Sequence, residues 1–184
     1  AANAFVAGDP IWCPEGDAPT PGAGNCTASY ANLLALIQDI DDGVLVLPAA
    51  DGVIWITSGS DSSAADISID GSNPRFATLR NYALTIQGGW GGVSGDPSAP
   101  GTSVFSVPVS ITNWNAAVTI NQITVNSSTY STPSVGLEVQ TSGDVFLNDI
   151  STLENGDVGL SVEAGGGIEA GNLTSERNAA SGAE

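Results

Sequence analysis

The chain contains no lysine and no histidine, and Arg75, Arg80 and Arg177 are its only basic side chains against 20 acidic ones in 184 residues. A formal charge of −17 excludes nucleic acid as a partner, because phosphate binding depends on clustered Lys and Arg. It disfavours anionic membrane surfaces for the same reason. No apolar run approaches the roughly 18 residues that a membrane-spanning helix needs. Cysteine is almost as scarce: Cys13 and Cys26 are the only two. Without histidine they make a poor metal site, and twelve intervening residues are not the CxxC spacing of a redox pair.

These two cysteines bracket PEGDAPTPGAGN, a loop rich in Pro and Gly that has little means of ordering itself. The reading is a Cys13–Cys26 disulfide, which for a loop of this size contributes on the order of 3 kcal/mol in the chain-entropy model. A disulfide implies an oxidising compartment, so a secreted, cell-surface location is expected. The first residues, AANAFVAG, have no charged or long apolar region and suit the downstream side of a signal-peptidase cut. Asn25-Cys-Thr, Asn126-Ser-Ser and Asn172-Leu-Thr are acceptor patterns for N-glycosylation.

What is present, above all, is a repeat. Residues 134–155 lie over 157–178 with Val135/Val158, Gly136/Gly159, Leu137/Leu160, Val139/Val162, Gly143/Gly166 and Asn155/Asn178 identical. Val145/Ile168 and Ile150/Leu173 keep apolar character. Upstream, Val118, Ile120 and Ile123 precede Val145, Leu147 and Ile150 by 27 positions. Apolar and polar residues alternate over short runs closed by Gly, Asn, Asp or Ser, the two-residue period of strands with one buried face. A unit of this length with this period is one rung of a parallel β-helix, whose aligned apolar positions stack about 4.8 Å apart. Asn121/Asn148 and Asn155/Asn178 recur in register and read as stacked turn residues, since Asn tolerates left-handed backbone.

Ahead of the repeats, Thr27 or Ser29 can cap a helix over Tyr30–Ile40 whose Leu33, Leu34, Ile37 and Ile40 share one face. An amphipathic helix there reads as a cap on the first rung. GVLVLP (43–48) and GVIWITSG (52–59) read as strands, and the Gly-rich tract 88–101 as a loop. The predicted organisation is an N-terminal segment with the disulfide loop (1–29), a capping helix (30–42) and an all-β body (43–184) of about six rungs, forming one domain. Six rungs make a solenoid about 30 Å long.

A helix followed by DGVLVLPAADGVIWITSG, NYALTIQGGWGG, a Gly/Pro loop and short Val/Ile repeats resembles bacterial cell-surface proteins of the right-handed parallel β-helix, pectate-lyase-like superfamily. The resemblance covers roughly residues 30–178. It implies an exported β-helix, a scaffold used by polysaccharide lyases and hydrolases and also by adhesins and surface filaments. Lyases of that superfamily use basic residues, and here Arg75 and Arg80 lie five apart in a loop. For hydrolysis, Glu138 with Asp149, or Asp144 with Asp157, are the carboxylate pairs that adjacent rungs could bring together. Asp39, Asp41 and Asp42 are weak calcium candidates, matching no EF-hand or glycine-rich calcium repeat. Trp90 and Tyr130, in loops, are candidate sugar-stacking residues, although a lone Trp such as Trp90 more often folds back over an exposed rung, and that is the preferred reading.

The function these observations favour is a secreted structural protein, not an enzyme, without a cofactor unless calcium binds. Its end rung would dock on the N-terminal region of the next copy to give a filament, because an uncovered rung presents unpaired backbone and core columns. A cell-surface adhesin or glycan-binding module is the alternative, and a carbohydrate-active lyase or hydrolase the second.

Overall fold

The computed structural model describes residues 9–127 and 135–179. They are mostly β. In chain order the strands are β1 (Pro10–Pro14), β2 (Gly52–Thr57), β3 (Gly59–Ser60), β4 (Ile67–Asp70), β5 (Leu84–Trp90) and β6 (Ser103–Phe105). Then come β7 (Val109–Trp114), β8 (Val118–Asn126), β9 (Leu137–Thr141), β10 (Val145–Leu153), β11 (Leu160–Ala164) and β12 (Ile168–Glu176), with one α-helix, α1 (Leu33–Asp41), between β1 and β2.

They form two sheets. The larger, sheet A, runs β1-β2-β5-β8-β10-β12 with β3 and β6 beside that path, and sheet B runs β11-β9-β7-β4. Every pairing is parallel except β1 with β2. The register follows the sequence repeat: Val118, Val145 and Ile168 stand side by side, as do Ile123, Ile150 and Leu173. In sheet B, Ile67, Val109, Leu137 and Leu160 make one row and Ile69, Ile111, Val139 and Val162 the next. Inward residues of both sheets, with Leu33, Leu36, Ile37 and Ile40 of α1, belong to a single buried cluster. Alternation within β4, β8, β9 and the first half of β10 sends about one residue in two to the shared core.

On the main path of sheet A, β2, β5, β8, β10 and β12 run parallel, and β3 and β6 pair in parallel beside them. Residues 71–83 and 91–102 lie between strands.

Several local expectations are corrected. The helix begins at Leu33, three residues later than expected, and its N-cap is Asn32, whose Oδ1 accepts the Ala35 N–H at 2.8 Å. Thr27 cannot cap it because its backbone and hydroxyl serve β1: the Thr27 N–H donates to the Trp12 carbonyl, and Thr27 Oγ1 accepts the Trp12 N–H at 3.0 Å. Residues 43–48 form no strand, for want of a ladder partner. Gly88–Trp90 belong to β5 and not to the loop, at a register shift opposite Trp55–Thr57.

The bends also fall one position away from the expected Asn. Gln122, Asp149 and Asn172 have φ of 53–54° and are skipped by the ladders, so each bends its strand in the middle. Glu154 and Arg177 (φ 53° and 55°) do the same at the next corner. The neighbouring Asn residues do stack: Asn148 Nδ2 donates to Asn121 Oδ1 at 2.9 Å and Asn155 Nδ2 to Asn178 Oδ1 at 2.8 Å. Their contribution is a side-chain ladder beside the bend rather than the left-handed residue itself.

Candidate functional site

The predicted disulfide is formed between Cys13 and Cys26. It does more than close its loop. Ile11, Cys13, Cys26 and Trp90 make a second small buried cluster with Trp55 against it. Trp90 is 0% exposed and its Nε1–H donates to the Asp96 carbonyl at 2.8 Å. Of the two readings of Trp90, the folded-back ring is the one found and the sugar platform is corrected, since a platform needs a free ring face and this ring is buried beside the disulfide. The Gly95 N–H also donates to the Pro19 carbonyl at 2.8 Å, tying the Gly-rich loop to the disulfide loop. Tyr130, the other proposed stacking residue, lies outside the described residues.

Of the glycosylation acceptors, Asn25 and Asn172 are exposed and Asn126 is half-buried. Asn172 Nδ2 donates to Asp149 Oδ1 at 2.8 Å, so a glycan there would replace a bond between β12 and β10.

Of the calcium candidates, Asp39 and Asp41 accept side-chain hydrogen bonds. Asp39 accepts the Tyr30 hydroxyl; burial, then that bond and the Asp39 charge, push the Tyr30 pKa up. Asp41 Oδ1 accepts from Asn73 Nδ2 at 2.9 Å, and its pKa is raised by burial first, then by the charges of Asp42 and Asp70. Among the described residues no three His, Cys, Asp or Glu side chains are placed to hold a metal ion. Asp70, in contrast, is held below the ordinary carboxylate range by the Asn113 side chain, then by the Ser72 hydroxyl and N–H. Its folded pKa is depressed, so its contribution to stability is present above the ordinary value and lost as pH falls through the folded one. Replacing Asn113 (φ 54°) by Gly keeps the left-handed backbone and removes the donor. The Asp70 carboxyl ¹³C titration should then shift upward; an unmoved midpoint would rule out Asn113 as the cause.

The members of each carboxylate pair lie on different parts of the fold. Glu138 stands on β9 in sheet B and Asp149 at the bend of β10 in sheet A. Asp144 Oδ1 accepts the Gly167 N–H at 2.7 Å, closing the turn of the next unit, and Asp157 lies in the connection before β11. A polar cleft of about 410 Å³ runs along the ends of the sheet B strands, past Arg80, Asn115, Gln140 and Glu163. Gln140 Nε2 donates to Glu163 Oε2 at 2.9 Å and Arg80 Nη1 to the Gly71 carbonyl at 3.2 Å. Glu163 is the one carboxylate in that lining, whereas glycoside hydrolysis by the usual route uses two.

The remaining candidate surfaces are the ends of the sheets. Among the described residues five large apolar side chains are exposed, and four of them are Val44 (74%), Val46 (81%), Ile168 (55%) and Leu173 (42%). The first two lie between α1 and β2; the last two lie on β12, the final strand of sheet A. At the first end, β1 covers β2 and is itself covered, because the Thr27 and Tyr30 N–H groups donate to its outer carbonyls at Trp12 and Pro10. At the second end Ile168 and Leu173 continue the columns of Val145 and Ile150 with no strand beyond them among the described residues. No family model, curated protein or solved structure matches this chain. Its function has to be read from these surfaces and from the sheets that carry them. No helix among the described residues is long and apolar enough to cross a membrane.

Proposed function

We propose that this chain is an exported structural protein, a right-handed parallel β-helix of the pectate-lyase-like kind that associates with copies of itself end to end into a surface filament or matrix. The solenoid reading is supported by the order of the strands. From β7 onward the chain passes from sheet B to sheet A and back in every unit, and each strand lies parallel to its counterpart in the last unit. Parallel strands joined by crossovers wind right-handed in nearly every fold, because the strand twist favours that hand. Export is supported by the disulfide.

The observation that carries self-association is the placement of four of the five exposed large apolar residues at the two ends. Scattered single apolar residues mean little, but a core column left uncovered is a surface that another strand would complete. The formal charge of −17 would keep the polar side faces apart while the apolar ends meet. Three arginines and no lysine also leave few tryptic sites, which suits exposed extracellular material. Light scattering and electron microscopy of the purified chain provide the test. Linear particles that lengthen with concentration are expected, and a monodisperse monomer at high concentration would refute the proposal.

A further inference from the structure

The segment just before β2, residues 44–47, bends at Val44 and Leu45 and belongs to no strand. Its burial alternates, with Val44 and Val46 exposed and Leu45 and Leu47 packed against the main core. Among the described residues, the backbone of 44–47 makes a single hydrogen bond, from the Leu45 N–H to the Asp39 carbonyl at 2.9 Å. It therefore offers backbone N–H and C=O groups with few partners among the described residues, and apolar side chains directed alternately outward and into the core. Segments apolar on both faces belong where both faces are covered, and here one is bare.

Its place in the chain says what should cover it. Gly52 stands in register with Leu84, Val118, Val145 and Ile168. Eight residues before Val145 and Ile168 lie Leu137 and Leu160, the first residues of β9 and β11 in sheet B. Eight residues before Gly52 lies Val44. Residues 44–47 thus precede β2 at the spacing by which β9 and β11 precede β10 and β12, without pairing as a strand, although Val109 of β7 lies nine residues before Val118 and Ile67 of β4 seventeen before Leu84.

A groove of about 300 Å³ beside this segment is lined by Ile40, Leu45, Val46, Leu47, Arg75 and Leu79. Arg75 is exposed and has no carboxylate within ion-pair distance among the described residues; its guanidinium lies close over Gly43. The opposite end of the molecule offers the complement. Ile168 and Leu173 are bare there; Glu169 is exposed beside Ile168, Glu163 is exposed on β11, and Glu176 is exposed with Arg177 Nη1 3.8 Å from its Oε2.

We propose that residues 44–47 and the adjoining groove are the receiving surface for the β11–β12 end of a second copy of this chain. This rests on the end-to-end reading above and adds to it the surface that does the accepting. Apolar contact between Val44/Val46 and Ile168/Leu173 drives the docking, and Arg75 facing the Glu side chains sets its orientation. Asp39, Asp41 and Asp42 flank the receiving end, so the association strengthens as salt screens the like charges of the two ends.

The experiment uses two single variants, Val46→Asp and Leu173→Asp, in sedimentation velocity alone and mixed. Both positions are exposed, so both proteins should melt within a few degrees of the parent; if either does not, Val46→Ser and Leu173→Ser replace them. Each variant alone should be monomeric where the parent forms chains, since each has one blocked end. Their equimolar mixture should give a heterodimer and nothing larger, because only one competent pair of ends remains. If Val46→Asp still forms chains, the receiving surface lies elsewhere and the inference is overturned while the end-to-end reading stands. If Val46→Asp alone forms a closed dimer, the β12 end pairs with another β12 end and the inference is likewise overturned. A monomeric parent protein removes the end-to-end reading itself.

Discussion

Replacing Asp61 by Ala should lower stability by about 2–4 kcal/mol, because a buried carboxylate that satisfies two backbone donors is lost and neither donor has another partner nearby. Asp61 is 4% exposed; its Oδ2 accepts the Leu33 N–H at 2.9 Å and its Oδ1 the Ser63 N–H at 2.8 Å. Leu33 is the first residue of α1, whose free N–H groups carry the positive end of the helix dipole. Ser63 Oγ takes the Leu34 N–H at 3.1 Å and Asn32 Oδ1 the Ala35 N–H at 2.8 Å, so three side chains from two segments share the helix start. Asp61 and Ser63 lie in the connection from β3 to β4, so the cap also fastens α1 to the first strands. Asp61→Asn keeps one acceptor but turns an amide N–H toward the other donor, and should fall between the parent and Asp61→Ala. Denaturant unfolding measures the loss, and thermolysin cleavage near Leu33–Leu36 should speed up before global unfolding. An Asp61→Ala protein as stable as the parent would mean that α1 is held by its apolar face alone.

That cap was not legible in the sequence, and the reason is physical. Asp61 is 28 residues from the N–H it accepts, and local patterns report only partners a few positions away. The same limit hid β1. Three residues between two prolines look like a turn, yet Pro10 and Pro14 are tolerable at the ends of an edge strand. The Trp12 ring covers Gly52, where any Cβ would collide with it. Trp90 was misplaced for a related reason: its covering comes from the disulfide loop, far back in the chain. The register of the repeats was legible in full, because each column needs an apolar residue at the same place in every unit. Val118, Val145 and Ile168 announce one another in the sequence just as they pair in the sheet. The two bare ends were half legible. The run GVLVLP announces a segment apolar on both faces, but the sequence could not show that the segment finds no ladder within its own chain.

The ladder Ser127–Asn155–Asn178 should be the second site of large effect, because one amide serves three groups inside the stack. Asn155 is 2% exposed; its Oδ1 accepts the Ser127 hydroxyl at 2.7 Å and the Ser127 N–H at 3.3 Å, and its Nδ2 donates to Asn178 Oδ1 at 2.8 Å. The side chain lies so close over Gly136 that a Cβ there would come within 2.5 Å of it. This gives the recurrent glycine of the repeat its reason. Asn155→Ala should cost about 2–4 kcal/mol by leaving Ser127, itself 1% exposed, without its acceptor. Asn178→Ala, one unit further out and only half-buried, should cost less, about 1 kcal/mol. Asn155→Asp separates hydrogen bonding from shape. The acid keeps the acceptor for Ser127 but sets a carboxylate oxygen against Asn178 Oδ1, and burial with that oxygen raises its folded pKa above the unfolded value. A raised acid destabilises the fold at neutral pH, and the penalty shrinks as pH falls through the folded pKa, where the proton restores a donor toward Asn178. Asn155→Asp should therefore lose stability relative to the parent at pH 7 and regain part of it near pH 4. A constant difference between the two proteins over that range would show that the Asn155–Asn178 bond does not hold the two units together.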